Sequence, residues 1–305
     1  MLYLPKDIPC ASTLMAEGAA VSEYDKACLQ AAADACAAFP HAAKKILFLN
    51  IMPQKAVTEL DIARMMAASG RDVVLIPMKI AGQTYKTTPM EHMQRFYLDF
   101  ETLEHLTFDG LIITGAPVEH LPFEQVRYWQ QLCRIIDWAK AGSVRSTLYI
   151  CWGAQAGLYY NYGVPKHALP AKRFGIYLHN VPAHQPSQPL RGLLADLHPA
   201  FPMPHSRHTE VRAEDFPSHS LHILAESEES GVGVAATEDG REVYITGHLE
   251  YEPHTLDNEY RRDVAKSLPI HRPEHYYHAD DPDAGICFSW EEAAKTFYRN
   301  WVAGL

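Results

Sequence analysis

No stretch of the 305 residues reaches the roughly 18 to 20 uninterrupted apolar positions that a bilayer-spanning helix needs. The opening segment, Met1 to Pro9, carries charge and two prolines in place of a basic start followed by an apolar core, so it does not read as a signal peptide. An excess of basic residues is also missing. Lys plus Arg number 27 against 37 Asp plus Glu, giving a formal net charge of -10. That balance argues against a general nucleic-acid binder, which needs a basic stripe to neutralise phosphates. There is no C-x-x-C pair among the six cysteines (Cys10, Cys28, Cys36, Cys133, Cys151, Cys287), and the 17 histidines form no H-E-x-x-H. Dispersed cysteines in a chain of this length predict reduced thiols in a reducing compartment, neither a disulfide frame nor a zinc site. The resulting expectation is a cytoplasmic protein with no resident metal and no membrane or nucleic-acid partner.

What is present is an ordinary globular composition, 47% hydrophobic and 21% charged, in a chain long enough for a full core. Residues 1–44 read as an N-terminal arm with an Ala-rich helix from about Glu23 to Ala38, ended by Pro40. From residue 45 to 305 the pattern is that of one α/β domain. Apolar runs at Lys45–Asn50, Asp72–Pro77, Phe108–Thr114 and Ser146–Cys151 alternate with helical patterns at about Thr58–Ala68, Thr88–Phe100 and Phe123–Ala141. Such alternation predicts a mostly parallel central sheet covered on both faces, a three-layer sandwich. Val181 to Pro204, rich in Pro, His and Gln, reads as irregular loop around a short helix. Short strands follow at Leu221–Ala225, Val232–Ala236 and Glu242–Thr246, the last two a hairpin turned at Asp239-Gly240, and a closing helix runs from about Trp290 to Val302.

Sites in parallel sheets collect at the carboxyl ends of the strands, where Asn50, Gly115 and Cys151 fall. Cys151 sits where a strand breaks into Cys151-Trp-Gly-Ala-Gln-Ala-Gly157 and then a helix. A sharp strand-to-helix turn presents a side chain at the sheet edge, and the helix N-terminus favours a thiolate. Backbone N–H groups of the same turn can receive an oxyanion. Against this stands the commoner fate of a cysteine, burial as a small hydrophobe. A cysteine nucleophile needs a base, and Gly247-His-Leu-Glu-Tyr251 offers His248 and Glu250. Either both reach a common site, or Glu250 orients His248 from behind. Spacing alone does not choose between them.

Seven ordered segments carry a resemblance: Leu49-Asn-Ile-Met-Pro-Gln-Lys55 with Thr58-Glu59, Thr88-Pro-Met-Glu-His92, Asp109 to Pro117, Cys151-Trp152 through Tyr162-Gly-Val-Pro-Lys166, Pro204-His-Ser-Arg207, Gly247 to Tyr251, and Tyr276 to Pro282. Over nearly its full length the chain resembles the homoserine O-acyltransferases of methionine biosynthesis. The resemblance implies a fold like the class I glutamine amidotransferases. It also implies a Cys151–His248–Glu250 centre that forms an acyl-cysteine from acyl-CoA and passes the acyl group to L-homoserine, in ping-pong order. Trp152 and Val118 or Glu119 would supply the oxyanion donors.

Glu119 falls where, in the family, glycine goes with succinyl-CoA and glutamate with acetyl-CoA. A carboxylate there fills space and repels the succinyl carboxylate, so acetyl-CoA is the expected co-substrate, with no permanently bound cofactor. The match further implies Arg262 as the grip on the amino-acid carboxylate, with Arg261 less favoured by register. Glu259 would help with the ammonium, and Lys172, Ser206 and Arg207 would line the pocket. Lys55, Asn50, Met52 and Pro53 either bind the acyl donor or form a structural turn. A homodimer is compatible with all of this.

Some residues depart from the family pattern. Leu178 stands where relatives place a glutamate before His179, Leu249 replaces a proline between His248 and Glu250, and the Val181–Pro204 loop is longer. The departures around this pocket leave serine open as the acceptor. Two further readings compete: a cysteine amidohydrolase on the same fold, which would need none of Lys172, Glu119 or Arg262, and a catalytically dead binding protein.

Overall fold

The computed structural model describes residues 1–31, 40–183 and 187–305. Their centre is a sheet whose parallel part is built from β1 (Leu2–Pro5), β2 (Val21–Tyr24), β3 (Lys44–Leu49), β4 (Val73–Lys79), β5 (Leu98–Asp99), β6 (Phe108–Ile113), β7 (Val144–Ile150) and β12 (Glu242–Ile245). Beyond β12 the pairing turns antiparallel through β11 (Gly231–Ala236), β10 (His222–Ser227), β8 (His167–Asn180) and β9 (Ala200–Glu210). The strand order is β2-β1-β4-β3-β6-β7-β12-β11-β10-β8-β9, with β5 beside β4. The expected mostly parallel sheet is therefore present, and the hairpin at Asp239-Gly240 joins β11 to β12 with Gly240 at φ +69°.

Alternation along the strands explains the layers. On β3, Ile46 and Phe48 face one core with Ile62 and Met66 of α3 (Lys55–Ala67) and Phe297 and Trp301 of α9 (Glu291–Gly304). Leu47 and Leu49 face the other, with Leu132 and Ile136 of α5 (Trp129–Trp138) and Leu158 of α6 (Trp152–Tyr162). All of these side chains are buried, each worth about 1.5–3 kcal/mol in transfer from water.

Several expectations need correction. The residue 44/45 boundary is not a seam in the sheet, because β1 pairs with β4 in parallel and α1 (Pro9–Ala16) packs on α3. The arm's Ala-rich segment begins as strand β2, not helix, and becomes helical at α2 (Ala27–Ala31). The rest of that expected helix lies outside the described residues. The long helix expected at Phe123–Ala141 is α5 with a single 3-10 turn before it and a π turn after. Thr88–Phe100 is divided into α4 (Met90–Phe96), β5 and a 3-10 turn. Ala200 to Pro204 is not loop but the start of β9; the helix expected in that region is α7 (Gln188–Leu193). Cys10, Cys133, Cys151 and Cys287 are free thiols, whereas Cys28 is disulfide-bonded, against the expectation of reduced cysteines throughout.

Candidate active site

Cys151 occupies the single residue between β7 and α6, with φ 52° and ψ -117°. A non-glycine residue in that region costs on the order of 1–3 kcal/mol and persists only where the surroundings over-determine it. Here they do. The Cys151 N–H donates to Ile245 O of β12 at 2.7 Å, tying the turn to the neighbouring strand. Gly153 and Gly157, one helical turn apart, let α6 sit directly on the sheet. A Cβ on Gly153 would lie 2.6 Å from Thr114 O, and one on Gly157 would lie 2.8 Å from the Tyr149 ring. Gly115, at the end of β6, leaves the space in front of the sulfur, since its Cβ would lie 3.6 Å from Cys151 Sγ.

His248 arrives from the loop after β12. Its N–H donates to Pro204 O of β9 at 2.8 Å, an approach open because Gly247 has no side chain to meet Met203 Sδ at 2.6 Å. Nδ1 donates to Glu250 Oε1 at 2.6 Å, and the imidazole stacks on Tyr251 with centroids 4.0 Å apart. Glu250 thus stands behind His248, which decides between the two arrangements left open by the sequence. Burial opposes a charge on this imidazole. The negative charges of Cys151 and Glu250, together with hydrogen bonds to both, nevertheless hold its pKa well above the usual histidine range. The geometry is that of a nucleophile, a base and an orienting carboxylate.

Cys151 and His248 open into a cleft of about 890 Å³ that also receives Glu119, Lys172, Ser206, Glu259 and Arg262. Ser206 Oγ donates to Glu259 at 2.9 Å, Lys172 Nζ forms an ion pair with the same carboxylate, and Arg262 Nη2 lies 3.6 Å from it. Lys172 also lies over the Phe174 ring at 4.4 Å. Glu259 and Arg262 share one face of α8 (Thr255–Ala265), whereas Arg261 is outside the cleft and paired with Asp257 at 2.8 Å. Of the two arginines, it is Arg262 that lines the cleft.

Not every expected residue reaches the cleft. Arg207, next to Ser206 on β9, points to the other face of the strand. It is 1% exposed and donates to His205 Nδ1 at 3.1 Å, Thr209 O at 2.8 Å and Ser230 O. Burial pulls its pKa down to about 10, with the Cys151 charge acting in the opposite sense. Lys55 is likewise structural. Its Nζ donates to Asn50 O and Met52 O, each at 2.7 Å, and burial lowers it to about 8 against a raising influence from Glu59. Asn50 is held by Tyr97 and the Lys55 carbonyl, while Met52 and Pro53 do line the cleft. Of the three expected oxyanion donors, Val118 is engaged, its N–H donating to Ala116 O at 2.9 Å. Trp152, whose amide opens α6, and Glu119 remain as the pair to consider.

Lys166 and Asp61 were passed over in the sequence. Lys166 Nζ donates to the carbonyl oxygens of Glu119 and Leu121, clamping the loop that carries Glu119. Lys166 closes the Tyr162-Gly-Val-Pro-Lys166 segment that carries the resemblance, but no role was read for it there. Glu119, His120 and His208 bring ligand atoms within 4.8 Å of one another at the rim, and among the described residues Glu229, Glu274 and His275 do so on the surface. Either group has donors suited to a divalent cation.

Comparison with known proteins gives the chain's family and fold. A model of the homoserine O-succinyltransferase family matches residues 1–304. A homoserine O-acetyltransferase of Bacteroides thetaiotaomicron is 48% identical over 259 residues, covering 85% of this chain and 83% of that one. A homoserine O-acetyltransferase of Geobacillus kaustophilus is 42% identical over 302 residues, covering 99% and 95%. Among solved structures, a glutamine amidotransferase of Thermotoga maritima superposes with a TM-score of 0.56 at 13% identity, over 86% of this chain and 97% of that one, which shows a shared fold. This chain belongs to the homoserine O-succinyltransferase family, and its fold is that of the class I glutamine amidotransferases.

Proposed function

We propose that this enzyme is a homoserine O-acetyltransferase of methionine biosynthesis, moving the acetyl group of acetyl-CoA to L-homoserine through an acyl-cysteine. The observation that carries this reading is the placement of Glu119 in the same cleft as Cys151 and His248, with Lys172, Ser206, Glu259 and Arg262 on its far wall.

In the first step Cys151 Sγ attacks the thioester carbon while His248 takes the thiol proton. The oxyanion is received by the Trp152 and Glu119 amides, and the bond from carbon to the coenzyme A sulfur breaks as His248 returns the proton to that sulfur. In the second step His248 removes the proton from the homoserine hydroxyl, whose oxygen attacks the acyl-cysteine. The C–Sγ bond then breaks and Cys151 recovers its proton. Glu250 keeps Nδ1 protonated throughout, so that Nε2 is the working nitrogen. Arg262 receives the substrate carboxylate and Glu259 the ammonium, in competition with Lys172.

Both named relatives are acetyltransferases although the family is described by succinyl transfer, and the chemistry of Glu119 supports the acetyl reading for this chain. A succinyl group would bring a second carboxylate against it in a confined space, a repulsion the acetyl group lacks. Thiol release measured with acetyl-CoA or succinyl-CoA, each against homoserine and serine, tests the proposal. Acetyl-CoA with homoserine should be fastest. Succinyl-CoA equalling it would remove the role of Glu119, serine equalling homoserine would remove the acceptor assignment, and coenzyme A release without any acceptor dependence would return the protein to the hydrolases.

A further inference from the structure

Behind the base, the site contains more carboxyl groups than it has partners for. Glu250 Oε1 accepts from His248, but Oε2 is buried with no hydrogen-bond partner. Asp61, in the middle of α3, is 2% exposed, lines the same cleft and has a buried Oδ1 without a partner. The hydroxyl of Tyr298, on α9, is buried without a partner beside both carboxyls. Buried polar atoms are normally satisfied, and three failures around one catalytic carboxylate indicate a proton that heavy atoms do not display.

The groups facing Asp61 act in both directions, with burial and Glu250 the larger influences. From the loop after β12 it meets Glu250 and His248, from α9 the neutral Tyr298, and from its own helix Arg64. Tyr251 also faces it as a neutral phenol, burial holding it well above the ordinary tyrosine range. Cys10 of α1, another residue lining the cleft, is kept a neutral thiol by burial, its pKa pushed up to about 12. The one cation not belonging to the centre is Arg64, and its guanidinium is committed elsewhere. Nε donates to Glu17 at 2.7 Å, and the group also pairs with Glu252. When His248 carries a proton, its charge faces Glu250 at Nδ1. Arg64 and His248 still act to lower Asp61, but burial and the charge of Glu250 outweigh them.

We propose that Asp61 is a positioning residue that stays protonated and shares its proton with Glu250 Oε2, so that the two carboxyls behind His248 carry one negative charge between them. A second charge there would overstabilise the imidazolium and slow return of its proton to the departing coenzyme A thiolate. A missing donor would leave Glu250 free to turn away from Nδ1. Burial first, and then Glu250, drives Asp61 well above the ordinary carboxylate range, in the sense this arrangement requires. The kinetic side of this inference rests on the acyl-cysteine mechanism proposed above; the protonation state itself does not.

Infrared difference spectroscopy between the wild-type protein and Asp61→Asn, at neutral pH and without substrate, tests it directly. The expected result is a protonated-carboxyl C=O band in the wild type that moves in heavy water and is missing from the variant. No such band, or one that survives the substitution, would overturn the assignment whether or not the protein transfers acetyl groups. The pH dependence of kcat/KM gives the second reading. Asp61→Asn, which stays neutral and keeps a donor, should leave the titration limbs where the wild type has them. Asp61→Leu should lower kcat about tenfold, the loss of one buried donor, and raise the apparent pKa of the base, with melting temperature confirming the fold. Limbs moved downward in Asp61→Asn would show that Asp61 had been charged, and would refute the proposal.

Discussion

At the scale of single residues, the account rests on what surrounds one sulfur. Cys151→Ser keeps the turn but replaces the sulfur beside His248 with a less nucleophilic hydroxyl oxygen, so turnover should fall by at least about a thousandfold, as for loss of a nucleophile acting in a coupled set. Coenzyme A release by the purified variant measures it. Glu119→Gly should leave acetyl transfer working and raise kcat/KM for succinyl-CoA, because it removes both bulk and charge from a half-buried position in the cleft. A variant as selective for acetyl-CoA as the wild type would show that donor choice lies elsewhere. A strand, a break and a glycine-rich helix start mark Cys151 in the sequence, whereas His248 and Glu250 were picked out by the family resemblance and not by their spacing. Asp61 was not legible: it lies mid-helix among apolar neighbours, and only the fold brings α3 up to the loop that bears Glu250. Arg207 was misplaced for a related reason. Strand alternation sends it and Ser206 to opposite faces, and β9 had been read only as loop as far as Pro204.

At the scale of elements, the strand-to-helix turn is held by glycine more than by any hydrogen bond of its own. Gly153→Ala puts a methyl group 2.6 Å from a backbone oxygen that has little freedom to move. It should destabilise the protein by about 1–3 kcal/mol, the usual cost of overpacking, and displace Cys151 enough to reduce kcat before KM. Urea denaturation with parallel kinetics checks both. The parallel strands were readable because each is a short apolar run between helical patterns. Strands β8 and β9 were not: their sequences mix Pro, His, Lys and Arg, and they exist because they pair with each other over Arg173–Asn180 and Ala200–Arg207. That pairing is nonlocal and leaves no periodic trace in either segment alone.

At the scale of the whole molecule, the N-terminal residues belong to the sheet. Leu2, Leu4, Ile8 and Leu14 are buried, and β1 covers the edge of β4 that would otherwise be open. Removal of residues 1–24 should therefore abolish cooperative unfolding or lead to aggregation, as judged by circular dichroism and gel filtration. A truncated protein that unfolded cooperatively with wild-type stability would restore the view of a detachable arm.

Two of the buried histidines contribute to the pH response with opposite signs. His179, against His205 Nε2 and Ser230 Oγ at 3.2 Å each, has its pKa pulled down to about 4 by burial. Between about 6.5 and 4 the unfolded chain binds the extra proton, so this group withdraws stability as pH falls, by about 2 kcal/mol at pH 5. His248 is raised, and its contribution is complete below about 6.5 and lost as pH climbs through its folded value. The penalty for His179→Gln, measured by denaturant titration, should accordingly be smaller at pH 5 than at pH 7 by about 2 kcal/mol.

Transfer of an acyl group through a covalent enzyme intermediate is most directly examined by incubating the protein with acetyl-CoA in the absence of an acceptor and mapping the added mass. The account predicts one acetyl group on the peptide containing Cys151, removed when homoserine is added. Product formation with that peptide never modified would contradict it.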